Sequence, residues 1–154
     1  MFSISVPVVE KVAEQTEIMV ELQVQVADLS RLKVLCVDDE PEILLAMQDL
    51  LQRWGCEVRL AEDMTQTQNQ LKDAWRPDVV LSDYRLQDQV TGLDVLKLCR
   101  QVVGDEFAGV IISADRTPEI VDRVKYHGFE FLPKPVKPLK LRGLLNTQGM
   151  SLID

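Results

Sequence analysis

Short apolar runs and amphipathic segments alternate along the chain from residue 32 onward. The runs that predict strands are LKVLCV (32–37), EVRLA (57–61), DVVLS (78–82), GVIIS (109–113) and FEFL (129–132). The first, third and fourth are nearly continuous apolar runs, which is typical of central strands covered on both faces. Strands that alternate with helical patterns predict βαβ units and a parallel sheet.

The segments between the strands carry helix signals. Apolar side chains recur at helical spacing after Pro41, and Gly55 is suited to end that first helix. A second, more polar helix is expected at about 63–75, where Arg76 and a proline close it. The other three predicted helices start at Thr91, which has capping-box spacing to Asp94, at Pro118, and at Pro138. The fourth helix is expected to stop at Gly128.

Five βα units account for residues 32 to about 146 and predict one α/β domain with an open, doubly wound, five-stranded parallel sheet. Residues 1–31 do not continue this repeat and form an N-terminal extension or linker, while residues 147–154 form a C-terminal tail. The stretch FSISV alternates like a half-buried strand, and residues 8–29 mix strand-like and helical spacing. The spacing therefore favours neither a strand nor a helix for the extension.

Polar side chains stand where four of the predicted strands end. Asp38 and Asp39 follow the first strand, Asp83 follows the third, Ser113 ends the fourth and Lys134 follows the fifth. In open parallel sheets the working site lies outside the carboxyl ends of the strands. We therefore expect these five side chains to converge.

Carboxylates that lie close together raise each other's pKa unless a cation neutralises them, and oxygen ligands of this kind suit Mg²⁺. One carboxylate is then available as a nucleophile, while the metal and Lys134 neutralise the oxygens of an incoming phosphoryl group. Ser113 can donate a hydrogen bond to that group. Asp83 is the single carboxylate at the end of its buried strand, so we expect it to accept the phosphoryl group.

Each of these residues also has an ordinary structural explanation when taken singly. An acidic pair often caps a helix, an aspartate after a strand often belongs to a turn, and a serine can cap the following helix. A lysine between prolines can lie on the surface. Their joint placement at the ends of central strands favours a site.

Charge and composition argue against nucleic-acid binding, membrane insertion and a disulfide framework. The formal net charge is -8, and no dense Lys/Arg block offers a surface for nucleic acid. No apolar stretch approaches the roughly 20 residues that cross a bilayer, and the N-terminus lacks signal-peptide features, so we expect a cytoplasmic segment without direct membrane contact. Cys36, Cys56 and Cys99 show no paired spacing and are expected to be reduced thiols.

Four motifs in order, VLCVDDEP, LSDYRL, IISAD and FLPKPV, resemble the receiver domain of two-component response regulators. The resemblance covers about residues 32–146 and implies a flavodoxin-like sheet with strand order 2-1-3-4-5. It implies that Asp83 becomes an aspartyl phosphate and that Mg²⁺ is held by Asp38, Asp39, Asp83 and the backbone carbonyl of Arg85.

By the same resemblance, Ser113 and Lys134 coordinate the phosphoryl oxygens, and Phe131 is a switch residue that moves inward as Ser113 shifts. It also implies a cis peptide bond before Pro135. The loop RLQDQVTG after Asp83 departs from the family by lacking an early proline and glycine. The implied partner is a histidine kinase or a histidine phosphotransfer protein, with homodimer formation left open.

The stretches DYRL and FLPKPVKPLKLRGLL resemble receivers at the carboxyl end of hybrid sensor histidine kinases, and residues 2–9 resemble the closing strand of a kinase ATP-binding domain. The segment itself is then a phosphoacceptor switch, with residues 10–31 as a linker, in a histidine kinase that is expected to be membrane-anchored. A stand-alone response regulator is an alternative. An aspartate-nucleophile phosphohydrolase is less favoured, since such enzymes have a second acid where Arg85 stands.

Overall fold

The computed structural model describes residues 29–153, with side chains described for residues 29–147. Five parallel strands form one sheet in the order β2-β1-β3-β4-β5. They are β1 (Lys33–Val37), β2 (Glu57–Ala61), β3 (Val79–Asp83), β4 (Ala108–Ser113) and β5 (Glu130–Pro133). The predicted flavodoxin-like fold and its strand order are confirmed. The strand expected at residues 2–9 and the linker up to residue 28 lie outside the described residues.

A helix follows each strand, as predicted. The helices are α1 (Pro41–Arg53), α2 (Met64–Gln70), α3 (Gly92–Val103), α4 (Pro118–Tyr126) and α5 (Pro138–Ile153), with a short 3-10 helix at Gln87–Gln89. The capping box before α3 is confirmed, because the Thr91 hydroxyl accepts the Asp94 N–H and the Asp94 carboxylate accepts the Thr91 N–H. Gly55 follows α1 with a φ of 90°, a left-handed conformation that favours glycine.

Helix α2 is shorter than the predicted span of 63–75, because tertiary contacts hold the residues after Gln70 in another conformation. The Arg59 guanidinium forms an ion pair with Asp73 at 3.0 Å and lies 4.5 Å from the centre of the Trp75 ring. Trp75 Nε1 donates to the Glu57 carboxylate. These contacts reach back to β2, so the expected helix end was wrong.

Helix α5 extends through Ile153, past the predicted end near residue 146. No proline interrupts residues 139–153, so the sequence places no strong helix breaker there.

At the other end of the domain, Leu29 is buried, although the sequence pattern placed this residue in the N-terminal extension. Its carbonyl accepts the Leu32 N–H at 3.0 Å.

Alternate residues of the central strands face opposite sides of the sheet, and both sides are covered. In β1, Leu35 and Val37 belong to one core layer, while Val34 and Cys36 belong to the other.

All three cysteines are buried and unpaired, as predicted. Burial raises the pKa of Cys56 to about 11 and that of Cys99 to about 12, so they are protonated core thiols. Among the described residues, no helix has the length and apolar character that a bilayer span requires.

Candidate functional site

The carboxyl ends of β1, β3 and β5 bring four charged side chains together. Asp38 and Asp39 follow β1 and Asp83 ends β3, and their carboxylates each offer an oxygen within 4.8 Å of the other two. Nζ of Lys134, which follows β5, lies 3.1 Å from Oδ1 of Asp83. The structure thus unites four of the residues that the sequence placed at strand ends.

Asp38 is the buried member of the acidic cluster. Its backbone N–H donates to the carbonyl of Ala61 at 3.1 Å, and its Oδ1 accepts the N–H of Glu40 at 2.9 Å. Burial raises the pKa of Asp38 to about 6; the charge of Asp83 acts in the same direction, against the lowering effects of the Glu40 N–H and Lys134. Ionising Asp38 therefore costs free energy in the absence of a cation.

The three carboxylates fit a small divalent cation. Oxygen ligands around Mg²⁺ lie at about 2.0–2.1 Å from the ion, which places opposite ligands about 4 Å apart. One carboxylate oxygen from each of Asp38, Asp39 and Asp83 lies within 4.8 Å of the other two, so the three groups are close enough to share one cation. The raised pKa of Asp38 shows that its ionised form lacks sufficient compensating charge, which a bound cation would supply.

Asp83 is positioned by its strand and by the helix packed against the strand end. It pairs in register with Ile112 of β4, and its side chain is 13% exposed. A Cβ on Gly92, the first residue of α3, would lie 2.5 Å from the Asp83 carbonyl oxygen and 2.7 Å from Ile111 Cδ1. Only glycine permits this approach of α3 to the strand end. The sequence signal was a single glycine just after the Thr91 cap, and sequence reasoning missed it.

Ser113 is buried at the end of β4 and is held on both its backbone and its side chain. Its hydroxyl accepts the Asp115 N–H at 3.0 Å, and its carbonyl accepts the Lys134 N–H at 2.9 Å. The hydroxyl hydrogen stays available as a donor. The bond between Ser113 and Lys134 joins the ends of β4 and β5, which carry the predicted hydroxyl and amine.

The loop after β5 has the cis peptide bond between Lys134 and Pro135 that the resemblance implied. Phe131 lies in β5, pairs in register with Ile111, and contacts the core layer that contains Ile111. It is partly buried. Its inward movement stays a prediction.

Arg85 lies in the loop after β3, where the resemblance assigned its backbone carbonyl to Mg²⁺. That role stays a prediction, but the structure shows a contact of the side chain that sequence reasoning missed: Nη2 lies 3.2 Å from Oδ2 of Asp115. The sequence feature that could have indicated this contact is position, since Arg85 and Asp115 each stand two residues after a predicted site residue.

Farther along this loop, Asp88 and Gln89 have φ values of 59° and 61°, so the loop adopts left-handed conformations without glycine.

A shallow apolar groove adjoins the site on the side of α1. Its lining comes from α1 and from the loop after β5, and it reaches Ala114 and Lys134; the remaining lining residues are Ile43, Ala46, Met47, Leu50, Pro135 and Val136. The groove therefore borders the site at Lys134.

Comparison with known proteins gives a family match over most of the chain. Residues 34–146 match the model of the response regulator receiver domain. Response regulator protein PilR of Pseudomonas aeruginosa is 32% identical over 120 residues, which cover 77% of this chain and 26% of that protein. The phosphoglycerate transport system transcriptional regulatory protein PgtA of Salmonella typhimurium is 31% identical over 109 residues, 70% of this chain and 26% of that protein. The chain thus spans about a quarter of the length of these relatives.

Solved structures show the same fold. A response regulator receiver domain protein from Clostridium thermocellum has a TM-score of 0.70 at 25% identity, covering 80% of this chain and 100% of that one. The chemotaxis response regulator CheY4 of Vibrio cholerae has a TM-score of 0.66 at 28% identity, covering 76% of this chain and 98% of that one. With the family match over residues 34–146, these likenesses show that the chain belongs to the response regulator receiver domains, the phosphoacceptors of two-component signalling.

Proposed function

We propose that Asp83 is the residue that accepts the phosphoryl group, and that the donor is a phosphohistidine on a histidine kinase or a histidine phosphotransfer protein. The observation that carries this proposal is the 3.1 Å contact between Lys134 Nζ and Asp83 Oδ1 beside the acidic pair. Asp83 is held by a buried strand and is still partly exposed. It is therefore both positioned and accessible.

In the transfer, a carboxylate oxygen of Asp83 attacks phosphorus while the bond between phosphorus and the donor imidazole nitrogen breaks. The nitrogen keeps the electron pair of that bond. The Lys134 ammonium neutralises charge on a phosphoryl oxygen, and the Ser113 hydroxyl donates a hydrogen bond to another. Ser113 ends β4 and Lys134 follows β5, and the bond from the Lys134 N–H to the Ser113 carbonyl joins these two positions.

Asp38, Asp39 and Asp83 would hold Mg²⁺, with the backbone carbonyl of Arg85 as a further proposed ligand. When bound, the ion supplies positive charge that offsets the carboxylates and the phosphoryl oxygens. The close spacing of the three carboxylates and the raised pKa of Asp38 support this ligand set.

The response to phosphorylation is proposed to begin at Ser113. As its hydroxyl shifts toward the phosphoryl group, Phe131 moves inward and α4, β5 and α5 change position. The contacts that support this sequence of events are the bond from the Asp115 N–H to the Ser113 hydroxyl and the half-buried position of Phe131 on the neighbouring strand.

Intact-mass analysis tests the acceptor assignment. The wild-type protein is incubated with Mg²⁺ and acetyl phosphate, and Asp83→Asn is treated identically. We expect wild type to gain the mass of one phosphoryl group and Asp83→Asn to gain none. A wild-type protein that gains no mass, or a variant that gains as much, would overturn the proposal.

The parent protein is proposed to be a hybrid sensor histidine kinase located at the membrane, with this domain on its cytoplasmic side. The support is the likeness of residues 2–9 and of the segments around Asp83 and Lys134 to such kinases. An antibody against this domain, applied to fractionated cell extract, tests the proposal. A membrane band far above 17.5 kDa whose peptides include a kinase domain is expected. A band at 17.5 kDa would indicate a stand-alone regulator instead.

A further inference from the structure

The apolar groove beside α1 shares part of its lining with the cleft that holds the proposed acceptor. Four residues line both the groove and a smaller cavity that reaches Asp83: Ile43, Met47, Lys134 and Val136. A segment of chain seated in the groove would therefore contact Lys134 and lie beside Asp83.

The groove follows one face of α1 toward the point where the N-terminal extension joins the domain. A row of side chains spaced three and four residues apart runs along this face, and its first three members line the groove: Ile43, Met47, Leu50 and Trp54. Trp54 packs against the core layer that contains Leu29. Ser30 lies against Gly55, where an added Cβ would meet the Ser30 Cα at 3.3 Å. The row thus leads from the site to the end of the extension.

Residues 18–28 of the extension place apolar and acidic side chains on different sides at helical spacing. The apolar set follows intervals of four, four and three residues and ends on a residue of the domain core: Ile18, Leu22, Val26 and Leu29. The acidic set falls together on another side at about 100° per residue: Glu17, Glu21 and Asp28. Apolar spacing alone favours neither a strand nor a helix, but this separation of charge is typical of an amphipathic helix.

We propose that residues 18–28 dock as a helix in the groove, with Ile18, Leu22 and Val26 against α1, and that the docked segment hinders phosphorylation of Asp83. The hindrance rests on the proposed function, whereas the docking does not. Because Leu29 is 1% exposed, the apolar side that it continues is directed toward the domain.

The length and charge of the segment fit this position. A helix rises about 1.5 Å per residue, so residues 18–28 extend about 17 Å from Leu29, close to the length of about 20 Å for the 13 residues of α1. Glu17 then lies near Lys134 and the exposed Lys137 at the site end of the groove. An acidic side chain there competes for the Lys134 ammonium and repels an anionic phosphodonor.

A second copy of the chain is the rival occupant of the apolar side, since two amphipathic helices can pair along such faces. The burial of Leu29 favours docking within one chain, because the last member of the apolar set already packs in its own domain. Light scattering on the 154-residue protein distinguishes the two arrangements, and we expect a monomer.

Substitutions in the extension test which side of the segment docks. Leu22→Asp places a charge on the apolar side. Val24→Asp is the matched control, because it makes a similar change two residues away, on the opposite side at helical spacing. Both changes lie outside the α/β core, so the domain is expected to fold in each variant.

A second pair of substitutions tests the groove itself. Ala46→Gln places a larger polar side chain in the groove lining, on an exposed position of α1. Leu45→Gln is its control, because Leu45 is 60% exposed and points to the far side of α1 from Ile43 at helical spacing.

Hydrogen exchange measured by mass spectrometry reports docking without any phosphorylation. We expect the amides of residues 18–28 to exchange at least about threefold faster in Leu22→Asp and Ala46→Gln than in wild type, as for a segment docked about two thirds of the time. The two control variants should match wild type.

The rate of mass gain with acetyl phosphate and Mg²⁺ then reports the hindrance. Leu22→Asp and Ala46→Gln should each be phosphorylated at least about threefold faster than wild type, because release of the segment makes the competent state fully populated. The double variant should be no faster than the faster single variant, and Val24→Asp and Leu45→Gln should leave the rate unchanged.

Equal exchange rates in wild type and Leu22→Asp, or equal effects of Leu22→Asp and Val24→Asp, would overturn the docking. A wild-type dimer that Leu22→Asp converts to a monomer would also overturn it, since the apolar side would then bind a second copy. Faster exchange with an unchanged rate of phosphorylation would overturn the hindrance. A wild-type protein that gains no phosphoryl group would overturn the proposed function, and the exchange rates would still decide the docking.

Discussion

The ammonium of Lys134 lies 3.1 Å from a carboxylate oxygen of Asp83, although Asp83 ends β3, Lys134 follows β5, and β4 separates these two strands in the sheet. The contact is partly buried, with side-chain exposures of 28% and 13%. It places a positive charge where phosphoryl transfer to Asp83 would develop negative charge. In the dephosphorylated state the same charge offsets part of the repulsion within the acidic cluster.

Replacing Lys134 with glutamine should therefore slow phosphorylation of Asp83. Removal of one electrostatic stabiliser of a transition state commonly lowers a rate by about 10²-fold, and we expect a loss of at least about tenfold here. The rate of mass gain with acetyl phosphate and Mg²⁺ gives the comparison. Lys125→Gln, which changes an exposed lysine on α4, serves as the control. Equal rates for wild type and Lys134→Gln would contradict the proposed role.

The raised pKa of Asp38 predicts that, in the absence of Mg²⁺, the free energy of unfolding falls as the pH rises. Its pKa is about 6 in the folded protein against an ordinary value of 3.8, so the folded state binds this proton more tightly than the unfolded state. The stability that results is fully present below pH 3.8 and is lost as the pH rises through about 6.

Asp38→Asn should consequently be more stable than wild type at pH 7.5, by about 2 kcal/mol, and this advantage should shrink toward pH 5. Urea unfolding of both proteins in EDTA at the two pH values measures the difference. A constant difference across this range would show that Asp38 does not titrate as described. Asp49→Asn, which changes an exposed aspartate on α1, is the matched control for the substitution itself.

Mg²⁺ should stabilise the wild-type protein by binding the folded state. The melting temperature is expected to rise with Mg²⁺ concentration and to return to its original value with EDTA. Asp38→Asn and Asp83→Asn should each lose most of this response, because each removes a proposed ligand. An equal response in wild type and both variants would place the bound ion elsewhere.

Gly92→Ala should be destabilising, because its Cβ would lie 2.5 Å from the backbone oxygen of Asp83 and α3 would have to shift. Overpacking of this kind costs about 1–3 kcal/mol. Gly143→Ala is the matched control: it lies in α5, a Cβ there meets nothing within 4 Å, and alanine favours a helix by up to about 1 kcal/mol. Urea unfolding should move in opposite directions for the two variants. Destabilisation by both would point to a general intolerance of alanine.

The sequence by itself determined the order of the elements and the residues at the strand ends. Apolar runs of strand length, prolines at helix starts and the capping box at Thr91 act within a few residues, so each is readable locally. Because parallel strands end at one edge of the sheet, strand assignment alone placed Asp38, Asp83 and Lys134 near one another.

Only the tertiary structure decided what depends on contacts between distant segments. Helix α2 ends early because Arg59 and Glu57 hold the residues after it. The pairing of Arg85 with a residue 30 positions away depends on the distance between two loop side chains, which no local pattern specifies. The pKa of Asp38 likewise depends on its burial and on the separation of charges, and both arise only when the sheet and its helices pack together.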